Sequence, residues 1–184
     1  MTITFGRKHT MKPSAWLICG PFLFLSLQAG ADTATVTINS IDEQGVGAIL
    51  GTVELSDTSN GLVLKPKLKN LSPGKHGWHI HQTPDCGPAE KDGKMAAGMA
   101  AGGHFDPATT NKHAGPKGTG HMGDLPVLVV AANGKATKAV TVARLKVTDL
   151  KDRALMIHAG GDNYADEPKP LGGGGGRIAC GIIK

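Results

Sequence analysis

The stretch HGWHIHQ, residues 76 to 82, places three histidines within seven positions. In an extended strand, the side chains of residues i and i+2 point to the same face. His79 and His81 would then project side by side, with Trp78 and Ile80 on the opposite face. This alternation predicts a β-strand with an apolar core face. The two imidazoles on its other face are able to share a metal, to pair with carboxylates or to lie on a solvent-exposed surface.

Short strand signals recur along the rest of the chain, while helical periodicity is almost absent except for one predicted turn at 148–152. Asn133 and Gly134 favour a two-residue hairpin, because both residue types tolerate positive φ. The pattern predicts an all-β antiparallel sandwich or barrel with Greek-key connections. The predicted strands are 33–41, 47–55, 61–68, 75–82, 126–131, 135–145, 154–158 and 177–183.

The first 31 residues resemble a secretory signal peptide. Arg7, Lys8 and Lys12 precede an apolar run from Ala15 to Leu27, and an A-x-A cleavage site follows at 29–31. The apolar run is too short to span a bilayer comfortably. We therefore predict cleavage after residue 31 and an exported, single-domain mature chain.

Removal of this leader changes how charge and cysteine content are interpreted. The leader carries three of the twenty basic residues and none of the fifteen acidic ones, so the mature net charge falls from +5 to +2. No run of Lys and Arg interleaved with aromatics occurs, which argues against nucleic-acid binding. Cys19 lies in the leader, and the exported pair Cys86 and Cys180 predicts a disulfide. Translation from Met1 or from Met11 stays open.

Two long irregular segments, 83–125 and 159–176, interrupt the strands, and such loops are usually functional or disordered. The second contains five consecutive glycines, 172–176, which indicate either a flexible linker or close backbone approach. The first is rich in Gly and Pro, and a bound metal would supply the free energy that orders it. Zinc accepts a closed set of three imidazoles and a carboxylate. The candidates are His104, His113, His121 and Asp124.

A second candidate set comprises His79 and His81 from one strand and His158 from the end of another. All-imidazole sites suit copper as well as zinc. His76 is predicted to be a surface residue at the start of its strand. Any one of these histidines could be a satisfied core residue, but six with coherent placement favour metal binding.

Six segments together resemble the motifs of a Cu,Zn superoxide dismutase of the bacterial exported branch, in the family's order and over nearly all of the mature chain. They are GWHIH, GGHFDP, KHAGP, GHMGDLP, HAGGDNY and GGGGGRIACG. The resemblance implies an eight-stranded Greek-key barrel related to the immunoglobulin-like sandwich. It also implies one copper and one zinc per subunit, a periplasmic location, no stable membrane insertion, and a monomer or homodimer.

The activity implied by this resemblance is dismutation of superoxide to oxygen and hydrogen peroxide by one-electron copper cycling, which protects the cell envelope from oxidative damage. Zinc would be structural. His104 would bridge the two metals, and Asp162 would accept hydrogen bonds from one ligand of each metal. Arg177 would attract the anion beside copper, and Cys86 and Cys180 match the family's disulfide. The implied ligands are His79, His81, His104 and His158 for copper, and His104, His113, His121 and Asp124 for zinc.

Four further positions bear on the resemblance. Trp78 stands where phenylalanine is more familiar, and Asp106 where asparagine is often seen; neither is an implied ligand. Lys91 and Lys94 in the first long loop are predicted to extend the positive field that steers superoxide.

Functions of other classes are also compatible with parts of the sequence. A periplasmic copper or zinc carrier would need the histidines but not Arg177. An immunoglobulin-like interaction domain would carry them incidentally. A zinc hydrolase is disfavoured, because the chain has no H-E-x-x-H motif and no glutamate placed as a general base.

Overall fold

The computed structural model describes residues 1, 2, 4, 6 and 31–184. Almost all of the predicted signal peptide, including Cys19 and the apolar run, therefore lies outside the described residues. Residues Ala31–Lys184 form one compact unit. Within the described part of the chain, no helix combines the length and the apolar character needed to cross a bilayer.

Alternating apolar residues build an antiparallel β-structure, and the predicted all-β class is confirmed. A seven-stranded sheet has the order β5-β10-β11-β1-β2-β3-β9, and β4 and β8 form a separate pair. The described residues contain eleven strands: β1 Thr33–Asp42, β2 Gly45–Thr58, β3 Gly61–Leu68, β4 Gly74–His76, β5 Trp78–His81, β6 Ala89–Lys91, β7 Lys94–Ala96, β8 Leu128–Val130, β9 Val140–Val142, β10 Arg153–His158 and β11 Arg177–Ile183.

The eight predicted strands correspond to nine of these elements, because the segment 75–82 is divided at Gly77. β4 pairs with β8, whereas β5 continues into the large sheet beside β10. The last strand, β11, lies between β1 and β10, so neighbours in the sheet are distant in sequence. These connections form the Greek-key pattern of the barrel.

The chain reverses at Asn133 and Gly134 as predicted, and the N–H of Ala131 donates to the carbonyl of Lys135 at 2.9 Å, but this is not a two-residue loop between paired strands. The turn exists, with Gly134 at φ 74 and its N–H donating to the carbonyl of Ala131 at 2.9 Å. However, β8 pairs with β4 and β9 with β3. A type I′ turn needs positive φ at both central residues, and Asn133 does not have it.

The barrel core confirms the face predicted for β5. Trp78 and Ile80 are fully buried in a cluster with Val36, Leu55 and Leu155. The indole N–H of Trp78 donates to the carbonyl of Pro126, so its one polar group is paired despite burial. Trp78 and Ile80 thus fill the core, while His79 and His81 of β5 point to the opposite face of the sheet.

A second, smaller apolar cluster lies beneath the first long loop. It includes Ile41, Ala154 and Met156 together with both cysteines. Cys86 and Cys180 form the predicted disulfide, which spans 94 residues of sequence. The loop is therefore attached to β11 by a covalent link and by burial of apolar side chains, close to the face that carries the histidines. Short 3-10 helices at 99–101, 147–150 and 170–173 complete the fold, the second at the predicted helical turn.

Candidate metal centre

Main-chain pairing at the free edge of β5 brings distant residues together. The first long loop crosses this edge twice and forms two single-residue antiparallel bridges, His81 to His104 and His79 to Asp124. Between them, Ile80 uses both its N–H and its carbonyl for bonds to the crossing segments. Residues more than 20 positions apart in sequence are thereby held beside one strand.

The end of β10 supplies the next ligand candidate. Met156 lies opposite His79, and His158 is two residues further along, on the same face. A register shift between Ile157 and His158 pairs His158 with Arg177. Such bulges re-aim side chains at the end of a strand. The shift accounts for the presence of Arg177 beside the histidines.

The four residues predicted to bind copper converge. Each offers a nitrogen, and these four atoms all lie within 4.8 Å of one another. The nitrogens directed inward are Nδ1 of one residue and Nε2 of the other three, and all are buried without a hydrogen-bond partner. They are His79 Nδ1, His81 Nε2, His104 Nε2 and His158 Nε2. Buried polar atoms of a folded protein are normally paired, so four convergent orphan nitrogens fit a metal ion.

The four residues predicted to bind zinc meet at one carboxylate oxygen. From Asp124 Oδ1, the Nδ1 atom of His104 lies at 3.0 Å, that of His113 at 3.1 Å and that of His121 at 3.5 Å. His113 Nδ1 and His121 Nδ1 are buried and unpartnered. The compact group within 4.8 Å that includes Asp124 holds His79 in place of His121, so His121 lies at the edge of this cluster.

Asp162 lies between the two sets of histidines. Its Oδ2 accepts a hydrogen bond from His79 Nε2 at 2.7 Å, and its Oδ1 accepts one from His113 Nε2 at 2.7 Å. Both bonds use the ring nitrogen that faces away from the cluster. The carboxylate thus fixes the ring orientation of one residue from each set, and in the neutral form of each ring it leaves Nδ1 as the nitrogen with the free lone pair.

The pKa values of the copper-set histidines are lowered, because burial disfavours their charged form. The pKa of His104 falls to about 4, and those of His81 and His158 are also well below their ordinary value. Neutral imidazole is the form with a free lone pair, so these rings keep that form in mildly acidic solution.

His113 behaves differently. Burial lowers its pKa, but the close approach of the Asp124 carboxylate, together with the hydrogen bond and charge of Asp162, outweighs this effect and raises the pKa to about 9. Contacts with His104 and His113 hold the pKa of the Asp124 carboxyl well below its usual range, and hydrogen bonds from His113 and His79 do the same for Asp162, in both cases against the opposing effect of burial. In the absence of metal, a proton therefore occupies this part of the site at neutral pH.

A cavity of about 570 Å³ leads from solvent to the copper-set histidines, with His104, His158 and Arg177 in its wall. The guanidinium of Arg177 donates to the carbonyls of Gly98 at 2.6 Å and Gly102 at 2.7 Å. These bonds fix the side chain while leaving other N–H groups free to bind an anion. Lys91 also lines this cavity, whereas Lys94 does not.

His76 contradicts its predicted surface position, since only 2% of it is exposed. Its Nδ1 lies 2.8 Å from the carbonyl oxygen of His158, and its Nε2 lies 2.8 Å from that of Ser72. It packs behind the copper set rather than in it.

Two residues that contact the zinc set are absent from the sequence-based candidates. Asp166 accepts the main-chain N–H of His113 at 2.9 Å, and Arg144 donates to the carbonyl of His121. Both lie far along the chain from the residues they contact. No local motif marks either one, so only the folded chain reveals them.

Two features together define a class: a Greek-key barrel, and two overlapping clusters of buried histidines, one of which includes an aspartate. This is a two-metal protein of the all-β class. The family model for copper/zinc superoxide dismutase matches residues 49–183. The chain belongs to the copper/zinc superoxide dismutase family.

Relatives and solved structures agree with this assignment. The chain is 55% identical over 165 residues to Superoxide dismutase [Cu-Zn] of Escherichia coli strain K12, covering 88% of this chain and 95% of that protein. It is 58% identical over 159 residues to Superoxide dismutase [Cu-Zn] 2 of Salmonella typhimurium, covering 85% and 92%. The Cu/Zn superoxide dismutase from Brucella abortus superposes with a TM-score of 0.82 at 49% identity, over 83% of this chain and 100% of that chain.

Proposed function

We propose that the two sets of residues hold copper and zinc in an enzyme that dismutates superoxide, with His104 shared between them. The observation that supports this most strongly is the set of six buried ring nitrogens without hydrogen-bond partners. Copper would be held by His79, His81, His104 and His158, and zinc by His104, His113, His121 and Asp124. When bound, copper supplies the one-electron redox chemistry that converts two superoxide ions and two protons to oxygen and hydrogen peroxide.

His104 is the residue suited to serve both sets. Its Nδ1 faces Asp124 Oδ1 at 3.0 Å, and its Nε2 is one of the nitrogens of the copper set. The ring stacks on that of His79 with 4.0 Å between centroids, which limits its rotation. In the metal-free protein Nδ1 holds a hydrogen toward Asp124, and this hydrogen must leave before both nitrogens bind metals.

Arg177 acts on the substrate through charge and hydrogen bonding. Superoxide is a small anion, and a guanidinium held at the inner end of the cavity attracts it to the copper set. The carbonyl of Gly102 accepts bonds from both Arg177 and His81 Nδ1, at 2.7 and 3.0 Å. One peptide group thereby fixes the anion-attracting residue relative to a copper ligand.

Zinc would have a structural role in this scheme. Its ligands come from a loop with little apolar surface, and the closed set of three imidazoles and one carboxylate leaves no open position. Asp162 joins His113 to His79, so ordering one set orients the other. The loop residues thereby hold His104 in place for its function in the copper set.

The first experiment is superoxide dismutation by residues 32–184 reconstituted with copper and zinc, beside His104→Ala and Arg177→Ala. We expect loss of most activity in the His104 variant and a drop of roughly tenfold or more in the Arg177 variant. Arg153→Ala is the matched control, because Arg153 also donates to main-chain carbonyls but does not line the cavity. Tight binding of both metals without dismutation would instead indicate a metal carrier.

We also propose export to the periplasm with cleavage after Ala31. The basic, apolar and A-x-A regions of the leader support this. Cell fractionation and N-terminal sequencing test it, and Asp32 is the expected first residue; a cytoplasmic protein that begins at Met1 or Met11 would contradict it. The oligomeric state, monomer or homodimer, stays a prediction that light scattering of the purified protein decides.

A further inference from the structure

Arg144 contacts the segment that carries three of the four proposed zinc ligands, residues 112–124, here called the zinc loop. Arg144 lies two residues beyond the end of β9, outside this loop. Its Nη1 donates to the carbonyl of Gly118 at 2.8 Å, and its Nη2 donates to those of Gly115 at 3.1 Å and His121 at 2.5 Å. One side chain from the barrel thus holds three carbonyls of the loop, including that of a proposed zinc ligand.

These carbonyls have weak alternatives among the described residues. The N–H of Gly118 reaches the carbonyl of Gly115 at 3.3 Å, and the N–H of Asp124 reaches that of His121 at 3.4 Å. Both distances are beyond the usual range for N–H···O bonds. A carbonyl shielded from water and left without a good donor destabilises the folded state. Arg144 therefore supplies the strongest bonds that these groups make.

The tight course of the loop explains why its carbonyls converge. A Cβ at Gly118 would lie 2.3 Å from the carbonyl oxygen of Ala114, and one at Gly120 would lie 2.2 Å from that of Lys112. Only glycine fits at such approaches. The backbone is therefore folded on itself around the guanidinium, and its shape depends on that group.

Opposite charges organise the two sides of the loop. Asp124 Oδ2 accepts the N–H groups of Ala114 and Gly115, each at 3.1 Å, while Arg144 binds the carbonyls. The carboxylate and the guanidinium also attract each other. The loop thus has a framework of hydrogen bonds made by protein groups.

We propose that Arg144 is a positioning residue for the zinc centre. It holds the zinc loop in the ligand-bearing conformation before metal binds, which reduces the ordering free energy that zinc must supply. The inference rests on the proposed zinc ligands. Arginine suits this task because its planar fork presents several donors in fixed directions, whereas a lysine ammonium at the same place cannot span three carbonyls.

The test compares zinc release from the zinc-loaded protein into excess chelator for the wild type, Arg144→Met and Arg144→Lys. We expect roughly tenfold faster release for Arg144→Met, as for other residues that support metal ligands, and a smaller increase for Arg144→Lys. Hydrogen exchange of the metal-free protein should show lost protection of amides confined to the zinc loop. Copper release from protein loaded with copper alone should stay unchanged.

A matched control and a rescue separate positioning from a general loss of stability. Arg153→Met removes another half-buried arginine that donates to two carbonyls, and we expect its zinc release to match the wild type. In Arg144→Gly, millimolar guanidinium ion should slow zinc release, whereas the same concentration of potassium chloride should not.

Unchanged zinc release in a folded Arg144→Met or Arg144→Lys protein would overturn the inference, and so would faster release accompanied by equal loss of protection throughout the barrel. If Arg144→Met does not fold, Arg144→Lys carries the test. Zinc binding that is insensitive to His113→Ala and Asp124→Ala would instead refute the proposed ligand set. The two failures are therefore distinguishable.

Discussion

The wall of the cavity carries side chains of both charges. Lys91 at the end of β6 lines the cavity together with Arg177, and Asp42 and Glu43 from the β1–β2 turn line it as well. Lys94 pairs with Lys91 across the β6–β7 turn but is not part of the wall. The sequence predicted a steering role for both lysines, and in the structure Lys91 lines the cavity whereas Lys94 does not.

Neutralising Lys91 should therefore slow the reaction more than neutralising Lys94. For Lys91→Gln we expect a roughly two- to threefold lower rate constant at low ionic strength and a flatter dependence on salt, because steering by charge is screened by ions. Glu43→Gln should have the opposite effect. Rate constants measured from low to physiological ionic strength test this, with Lys94→Gln as the matched control. Equal salt slopes for the two lysine variants would exclude the role of Lys91.

How much of the site is visible in the sequence depends on the residue. The i, i+2 spacing of His79 and His81 fixes their common face, and the structure confirms that face. The burial of His76 does not follow from that alternation, because β4 and β5 pair with different strands and His76 contacts the carbonyls of Ser72 and His158. Arg144 could not have been found, since its contacts depend on a chain reversal that no local pattern encodes.

At the scale of elements, the residues of the turns determine where hairpins form more than the composition of the strands does. Asp92 and Gly93 both adopt positive φ, at 53° and 76°. They close the β6–β7 hairpin inside the segment 83–125, for which the sequence predicts an irregular loop. Asp-Gly is among the strongest hairpin signals, so this hairpin was predictable. Asn133 and Gly134 predict a hairpin just as strongly, but the flanking strands β8 and β9 pair with β4 and β3 instead of with each other.

The pairing at the edge of β5 is an element-scale feature that sequence could not supply. Each bridge joins a single residue of a loop to the strand, and one-residue bridges leave no periodicity to detect. The histidine spacing indicated that ligands must converge. The structure shows that main-chain bonds to Ile80 bring them to the same edge.

The five-glycine run provides close backbone approach rather than a flexible linker. Gly172 has φ 72, and a Cβ there would lie 2.1 Å from Asp162 Oδ1 and 2.8 Å from His113 Nε2. The hydrogen bond that joins these two side chains occupies the space. Glycine is therefore required by both conformation and contact.

Gly172→Ala should displace Asp162 from His113 and so weaken the link between the two histidine sets. We expect about tenfold weaker zinc retention and reduced activity, measured by chelator competition and by dismutation. Gly176→Ala is the matched control from the same run, since a Cβ at Gly176 would meet nothing within 4 Å. Wild-type zinc retention in both variants would show that Gly172 is not needed for the contact.

The whole molecule places a polar metal centre outside an apolar barrel. The core cluster fills the barrel, and the smaller cluster around the disulfide supports the first long loop on the sheet's outer face. Loop residues thereby gain the fixed positions that catalytic geometry requires. The metal-free protein must bury six histidines, and this affects how its stability depends on pH.

Two opposing effects set this dependence. The folded pKa of His104, about 4, is below its ordinary value of 6.5, and the pKa values of the other copper-set histidines are lowered as well. As pH falls below 6.5 the unfolded chain binds protons that the folded chain does not, so stability decreases. His113, with a raised pKa of about 9, stabilises the fold fully below 6.5 and loses that contribution as pH rises through 9.

The metal-free protein should therefore be most stable near pH 6.5. Each fully shifted histidine contributes up to about 1.4 kcal/mol of lost stability per pH unit below this value, so several buried rings make the decline steep between pH 6.5 and 4. Urea unfolding of metal-free residues 32–184 gives the free energy of unfolding at each pH, measured from pH 4.5 to 9 at intervals of about half a pH unit. The metal-loaded protein is the control, because its ring nitrogens are occupied and protons must first displace the ions. A metal-free protein equally stable at pH 5 and pH 6.5 would mean that burial does not keep the histidines neutral. It would also contradict the expectation that the copper set can bind metal in mildly acidic solution.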